Sequence, residues 1–356
     1  MAMLKLKFSS HPIFWLAAIV LLIVLAACSP DTAVVEPPTI EPVVEATVPS
    51  ATDTPSTPPT PEAVPSALLI TGVEVDPFLM LQTQNVLETL TDEASMSLVL
   101  LDELTSEALT PGVQVVVGLG QGLGLNAFAA NTPGVSFVAI RDPEAVVADN
   151  LSVIGEPSLE VWQQAFMAGY VSALISSDNK VTALIAEENA ARDMLAESYV
   201  AGVRFFCGIC QPIYPPYNPF PQWETLPSPL SDNEFRPIVN NFVNMGVEIV
   251  YVQGDLIAPE LLAFLEELDI KVISDRSPDI PRSNWVGTIT TDPSPALEAL
   301  WPDLLMATPG QQVPAAIVLT DTDLGLISEG RYRLVENMIA DLQAGLVSIE
   351  LTPQTD

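Results

Sequence analysis

A pair of cysteines is the most conspicuous motif with chemical potential in this sequence. Cys207 and Cys210 form C-x-x-C, a spacing found in redox enzymes, in metal sites and in structural disulfides. A redox cysteine usually lies at a helix N-terminus, which lowers its pKa. The segment that follows, residues 211–221, contains five prolines and so disfavours helix. In an exported chain this pattern predicts a structural disulfide, with free or metal-binding thiols and a redox pair as the alternatives.

Histidine gives the clearest exclusion. The single histidine, His11, lies in an N-terminal segment that we expect to be removed, so the mature chain has none. Ser-His-Asp and Cys-His catalytic systems, and zinc or copper sites built on histidine, are therefore excluded. No pair of carboxylate, Lys or Tyr side chains stands out as catalytic machinery. We expect a protein that is not an enzyme and that uses no cofactor and no metal.

Residues that follow predicted strands are the candidates for ligand contacts, because ligands of open α/β sheets lie outside the carboxyl ends of the strands. The candidates are Asp76, Phe78, Gly120, Gln121, Asp142, Gln253, Asp255 and Asp275. Their carboxylates accept hydrogen bonds from hydroxyls or amines. Phe78, with Trp162 and Tyr214 as further aromatics, offers a stacking face. The alternative is structural, since a strand-end Asp often caps the next helix and an aromatic often packs in the core.

The glycines near residue 120 suggest a second type of site. Gly122, Gly124 and Ala127 fit the dinucleotide pattern G-x-G-x-x-A, and Asp142 follows about 20 residues later. In dinucleotide-binding domains the pattern follows the first strand, whereas here it follows the third predicted strand. We interpret these glycines as sites of close backbone approach at a cleft.

The N-terminus has the features of an export signal. Lys5 and Lys7 precede an apolar run, residues 13–26, that is short for a membrane span and suited to a signal peptide. Leu25-Ala26-Ala27-Cys28 then resembles the lipobox of bacterial lipoproteins. The resemblance implies a signal peptide over residues 1–27, a lipid on Cys28 and a location on the extracytoplasmic face of the cell membrane. A transmembrane anchor and a signal peptide cleaved without lipid are the alternatives.

The segment that follows Cys28 is predicted to connect the lipid to a strongly acidic domain. Residues 28–65 are rich in Pro and Thr and have no apolar periodicity, which predicts an extended, disordered stalk. The net charge is −33, and ten Lys and Arg face 45 Asp and Glu once the signal peptide is removed. Such a charge repels phosphate backbones, so we expect no nucleic-acid partner.

From residue 66 onward, short apolar runs alternate with segments of helical periodicity. Val113–Gly118 and Val135–Ile140 are typical of buried strands, and residues 159–176 of a helix. After a helix over Ala190–Gly202, the β-branched and aromatic run Val203–Phe206 predicts a strand.

This alternation predicts βαβ units. We therefore expect an α/β domain over residues 66–356 with two lobes, each a doubly wound, mostly parallel sheet. Lobe 1 is predicted over residues 66–158 with part of the C-terminal tail, and lobe 2 over residues 177–285.

The order of these runs resembles the basic membrane protein (BMP) family of substrate-binding lipoproteins. The resemblance rests on VVVGLGQGLGLNAFAANTPGVSFVAI (115–140), VWQQAFMAGYVSALIS (161–176), IKVISD (270–275) and WVGTITTDPSPALEALWPDLL (285–305). It implies a type I periplasmic-binding-protein fold, a small-molecule ligand and an ABC permease as partner, and the family includes purine-nucleoside receptors. Two places depart from the family pattern. The first loop reads Gly72-Val-Glu-Val-Asp76-Pro-Phe78, and Thr288–Asp292 lacks the usual Lys.

Together these features predict a lipid-anchored, monomeric solute-binding protein. We expect it to capture a small molecule between its lobes, for which the family resemblance implies a nucleoside, and to offer it to an ABC-type importer. The alternative is a sensor or scaffold with the same cleft that signals to a membrane partner without transport.

Overall fold

The computed structural model describes residues 64–73 and 75–348. The predicted signal peptide, Cys28 and nearly all of the predicted stalk lie outside these residues. Thr60–Asp356 form one compact unit, which contains both lobes with their cores. Among the described residues, none of the helices has the length and apolar character needed to cross a membrane.

Lobe 1 is a six-stranded parallel sheet with helices on both faces. Its strands are β1 (Ser66–Thr71), β2 (Ser97–Leu101), β3 (Val113–Leu119), β4 (Ser136–Ile140), β5 (Leu151–Ile154) and β11 (Gln312–Val313). They lie in the order β11-β5-β4-β3-β1-β2. Helices α1 (Pro77–Glu93) and α7 (Ser294–Leu305) cover one face, and α2 (Leu125–Asn131) covers the other. The central strands are buried on both faces, which explains their continuous apolar runs.

Lobe 2 is also a six-stranded sheet, and it is mostly parallel. Its strands are β6 (Val181–Ala186), β7 (Gln222–Leu226), β8 (Ile249–Val252), β9 (Lys271–Ser274), β10 (Trp285–Asp292) and β12 (Ala316–Thr320), in the order β12-β10-β9-β8-β6-β7. Strand β12 runs antiparallel to β10. Helices α3 (Pro157–Ile175), α4 (Arg192–Cys207) and α8 (Glu329–Gln343) pack on one face, and α5 (Asp232–Met245) and α6 (Pro259–Glu267) on the other. The prediction of two mostly parallel α/β lobes is confirmed.

Three chain segments connect the lobes. The chain leaves lobe 1 between β5 and α3, returns between β10 and α7, and leaves again between β11 and β12. Lobe 2 is therefore larger than the predicted residues 177–285, because α3, β12 and α8 contribute to its core. The predicted C-terminal tail alternates between the two sheets, which couples them through short connections.

The predicted strand Val203–Phe206 is wrong, because these residues form the last turns of α4. Ala196, Tyr199 and Val203 are all buried and repeat at helical spacing, so one apolar face continues past Gly202. Gly202 lies against α3, where a Cβ would come within 1.9 Å of the Phe166 carbonyl oxygen. The glycine is there for close helix packing and does not end the helix.

Cys207 and Cys210 form a disulfide at the C-terminal end of α4. The aromatic loop that follows, residues 211–221, is fixed by the buried ion pair between Lys180 and Asp178, whose Nζ and Oδ2 atoms are 2.7 Å apart. Asp178 also accepts hydrogen bonds from the backbone N–H groups of Ile213 and Tyr214. These contacts lie at the start of β6, opposite the carboxyl ends of the lobe 2 strands.

Candidate functional site: the cleft between the lobes

A cavity of about 650 Å³ lies where the carboxyl ends of the strands of both lobes meet. The lobe 1 residues that line it follow β1, β3 and β4, and the lobe 2 residues follow β6, β7, β8 and β9 or belong to the first turns of α3. The polar and charged lining residues are Asp76, Gln121, Arg141, Glu160, Glu188, Asn189, Ser228, Asp255, Asp275 and Arg276. The location agrees with the rule for ligand sites in open α/β sheets.

Two of the loops that form the lobe 1 side of the cavity have backbones that touch. The Val73 N–H donates to the Gln121 carbonyl oxygen at 3.4 Å, so the loop after β1 pairs with the loop after β3. A Cβ on Gly72 would lie 2.2 Å from that same oxygen. Gly120 has φ +91°, and a Cβ there would lie 2.5 Å from Val75. Both glycines are therefore required by the close approach of the loops.

Asp76 caps the N-terminus of α1 and also lines the cavity. Its Oδ1 accepts hydrogen bonds from the N–H groups of Phe78 at 2.8 Å and Leu79 at 3.3 Å, so it is the N-cap of α1. Pro77 occupies the first helical position, where no N–H is needed. The cap orients the carboxylate at the helix terminus and leaves Oδ2 without a hydrogen bond to the described residues.

Arg141 and Glu160 form an ion pair where the chain first crosses between the lobes. The Arg141 Nε and Glu160 Oε2 atoms are 3.9 Å apart. Glu160 lies in the first turn of α3, where the helix dipole favours an acid, and its Oε1 accepts a hydrogen bond from the Glu156 N–H at 3.2 Å. Burial raises the pKa of Glu160, and Arg141 opposes the shift only in part.

On the lobe 2 side, a buried glutamine orients an exposed acid. The Gln253 Oε1 accepts from the Ala186 N–H at 2.8 Å, and its Nε2 donates to Asp255 Oδ2 at 2.7 Å. The Asn189 amide donates to the same Asp255 oxygen at 3.1 Å. Glu188 is held in a similar way, because its Oε2 accepts from the Ser228 N–H at 3.0 Å. These bonds fix the two carboxylates with one oxygen each left for a ligand.

Asp275 and Arg276 follow β9 and complete the lobe 2 side. Asp275 Oδ1 accepts from the Gly254 N–H at 2.6 Å, which ties the loops after β8 and β9 together. Burial raises the pKa of Asp275, although the Gly254 hydrogen bond acts in the opposite direction. Arg276 is exposed, and its guanidinium has no ion pair or hydrogen bond among the residues that the structure describes.

Five of the eight candidate contacts from the sequence line the cavity: Asp76, Gly120, Gln121, Asp255 and Asp275. The other three are Phe78, Asp142 and Gln253. Asp142 is 4% exposed and accepts from the Glu144 N–H at 3.1 Å, so it shapes the loop after β4. Gln253 is buried, holds Asp255 through its hydrogen bond and does not itself line the cavity. Trp162 packs against the lobe 2 core, and Tyr214 is exposed on the aromatic loop.

Several lining residues were not among the candidates. They include Arg141, Glu160, Glu188 and Arg276. Glu188 and Arg276 lie two residues after the ends of β6 and β9, so the strand-end rule applied to every strand finds them. Glu160 comes from the start of a helix, and the strand pattern carries no signal for it. Within the described residues, no group of three or more Asp, Glu, Cys or His is arranged to hold a metal ion.

Comparisons with known proteins identify the fold. No family model matches the sequence, and no curated protein is similar to it. The chain is similar in structure to a transcriptional activator of the comK gene from Bacillus halodurans, with a TM-score of 0.53 and 14% identity over 81% of this chain and 100% of that chain. It is also similar to a solute-binding protein of an ABC transporter system from Aeropyrum pernix K1, with a TM-score of 0.50 and 13% identity over 82% of this chain and 94% of that chain. The chain therefore has a type I periplasmic-binding-protein-like fold.

Proposed function

We propose that this chain is a solute-binding protein that captures a small molecule in the cleft between its lobes. The observation that carries the proposal is the 650 Å³ cavity, which both lobes line with fixed polar side chains at the carboxyl ends of their strands. The fold supports it, since a solved solute-binding protein of an ABC transporter system has a similar fold. We further propose that Cys28 is lipidated, that the chain is anchored to the outer face of the cell membrane, and that an ABC permease receives the ligand.

Capture follows from the connections between the lobes. Three short segments join two rigid sheets, so a hinge motion there changes the width of the cleft without disturbing either core. A ligand that contacts both sides favours the closed state by its extra affinity for that state. The closed form is the one that a permease would recognise.

A sensor that does not transport is the second candidate. The same fold occurs in the transcriptional activator from Bacillus halodurans, so it is not restricted to transport. The departures from the BMP family at Gly72–Phe78 and Thr288–Asp292 also favour a different role. In this case ligand capture is retained and the partner is a membrane signalling protein.

Thermal unfolding of residues 60–356 tests capture. The protein is heated with nucleosides, neutral sugars, amino acids, amino sugars and polyamines, each at millimolar concentration. A compound present at 100 times its Kd adds about 2.7 kcal/mol to the free energy of unfolding, which appears as a raised Tm. A folded sample whose Tm responds to none of these classes would contradict solute capture.

A further inference from the structure

The chemistry of the cleft restricts the class of ligand, and this inference rests on the proposed function of the same cavity. We infer that the cleft binds a hydroxylated, non-aromatic amine, such as an amino sugar or an amino polyol. Three observations carry the inference. They are the residue types in the lining, its charge, and the carboxylate oxygens that remain without partners.

The lining has no surface on which a base could stack. No Phe, Tyr, Trp or His is found among the described residues that line the cavity. Phe78, the one aromatic expected there, is not part of the lining. Proteins that hold flat, π-rich ligands use aromatic faces, because stacking adds to the area that is buried. The purine nucleosides that the BMP resemblance implied therefore have no stacking partner here.

The lining is also strongly acidic. Asp76, Glu160, Glu188, Asp255 and Asp275 contribute five carboxyl groups, against the guanidinium groups of Arg141 and Arg276. Arg141 is paired with Glu160, so four carboxylates remain against Arg276 alone. These four come from both lobes, and closing the cleft removes them from water. A neutral ligand leaves that charge without compensation, whereas an ammonium group offsets part of it.

Carboxylate oxygens on both lobes are left to accept hydrogen bonds from a ligand. Asp76 Oδ2, Glu188 Oε1 and Asp255 Oδ1 have no hydrogen-bond partner among the described residues, while the other oxygen of each is held by the protein. An ammonium group donates three hydrogen bonds in one small region. Oxygens on two opposed lobes need donors spread over the ligand, which hydroxyl groups supply. The Gln121 amide, which lies among them on the lobe 1 side, both donates and accepts and so suits a hydroxyl.

Matched compounds separate the amine from the hydroxyl groups. Thermal unfolding and calorimetric titration of residues 60–356 would use amino sugars and amino polyols, including D-glucosamine and 1-amino-1-deoxysorbitol. Each is paired with its neutral counterpart, D-glucose or sorbitol. Spermidine is the amine without hydroxyls, and adenosine and inosine are the aromatic comparison. We expect at least one hydroxylated amine to bind about tenfold or more tightly than its neutral counterpart, which corresponds to about 1.4 kcal/mol.

Two variants localise the effect. Asp275→Asn keeps the oxygen that Gly254 uses and removes the charge, so we expect it to weaken binding of the amine by about tenfold or more and to change binding of the neutral counterpart much less. Glu336→Gln removes an exposed charge on α8, outside the cleft, and is expected to change neither.

The outcomes distinguish this inference from the proposed function. If a nucleoside, an amino acid or a neutral sugar binds and the hydroxylated amines do not, the cleft captures a solute but the inferred class is wrong. Equal binding of spermidine and the hydroxylated amines overturns the role of the hydroxyl groups. If no compound binds to a folded sample, both the class and solute capture are contradicted. An unchanged amine affinity in Asp275→Asn places the binding site elsewhere and also overturns the inference.

Discussion

Asp275 illustrates how one carboxylate serves both the fold and the cleft. It joins the loops after β8 and β9 through its hydrogen bond from Gly254, and it lines the cavity. Its environment disfavours the charged form, because burial raises its pKa above the ordinary value of 3.8. Once ionised, an acid in such an environment reduces the stability of the fold.

The first prediction follows from this shift. Between the two pKa values, the folded protein keeps a proton on Asp275 that the unfolded chain has released. The contribution of protonated Asp275 to the free energy of unfolding is therefore complete below pH 3.8, and it is lost as the pH rises through the raised pKa of the folded state. Asn does not titrate. We therefore expect the free energy of unfolding of Asp275→Asn, relative to the parent, to increase as the pH rises above about 4. Denaturant titrations without ligand would measure it, and a difference that stays constant with pH would contradict the shift. Glu336→Gln is the control.

The buried ion pair of lobe 2 gives the second prediction. Burial opposes ionisation of Asp178, but the hydrogen bonds from Lys180 and from the backbone of Ile213 and Tyr214 outweigh it and lower its pKa. Asp178→Asn leaves Lys180 charged and buried without its partner. We expect a loss of about 3–5 kcal/mol in the free energy of unfolding, measured by urea titration.

The matched control for Asp178→Asn is Glu329→Gln, which breaks an exposed pair with Arg333. It should cost no more than about 0.5 kcal/mol. Equal effects of the two substitutions would show that Lys180 finds another partner or reaches water.

At the scale of elements, α3 and α4 pack closely against each other. A Cβ on Gly169 would lie 2.1 Å from the Tyr199 carbonyl oxygen, and one on Gly202 would lie 1.9 Å from the Phe166 carbonyl oxygen. The two glycines allow the helix backbones to approach, as small residues do at other tight helix contacts. This packing fixes α3, whose first turn carries Glu160 into the cleft.

The third prediction tests this contact. Gly202→Ala forces the helices apart. We expect this substitution to destabilise the protein by about 1–3 kcal/mol in thermal unfolding. Gly330→Ala is the control, because Gly330 lies in α8 and a Cβ there meets nothing within 4 Å. Alanine should be neutral or stabilise by up to about 1 kcal/mol at that position. A similar Tm for both variants would contradict the tight contact.

The elements also show what the sequence reveals and what it does not. Asp76, Gln121 and Asp255 could be placed near the cleft because parallel strands end at one edge of their sheet. Glu160 could not, since it reaches the cleft through a crossover between lobes, and such connections leave no periodic signal. Strand β7 could not be predicted, because it lies between prolines and its conformation depends on pairing with β6, which is 40 residues away in the sequence. Phe78 was expected to stack on a ligand, but the sequence does not determine which way the side chain of an aromatic residue near a strand end points.

At the scale of the whole molecule, the two sheets are coupled by three short connections, and the cavity lies between them. Each lobe has its own core on both faces of its sheet. The proposed anchor lies outside the described residues and is connected to lobe 1 through the segment before β1. Capture and anchoring are therefore separable properties.

The fourth prediction concerns the proposed anchor. Cys28→Ala removes the thiol that would carry lipid, so the chain is expected to lose incorporation of labelled palmitate and to leave the membrane fraction, with its Tm unchanged. Ser29→Ala is the neighbouring control and should stay with the membrane. Membrane association of Cys28→Ala equal to that of the parent would contradict a lipid anchor and would favour a transmembrane segment.

The central claim is that the solute binds between the lobes, and a variant that fills the cleft tests it most directly. Gln121 is exposed in the cavity, and no side-chain hydrogen bond joins it to the described residues, so Gln121→Trp should occupy the site with little effect on stability. Calorimetric titration would use the compound that most raises the Tm of residues 60–356, with Glu336→Trp as the control. We predict binding of one molecule to the parent and to Glu336→Trp, and a loss of about tenfold or more in Gln121→Trp. Equal affinity in all three proteins would contradict capture in the cleft.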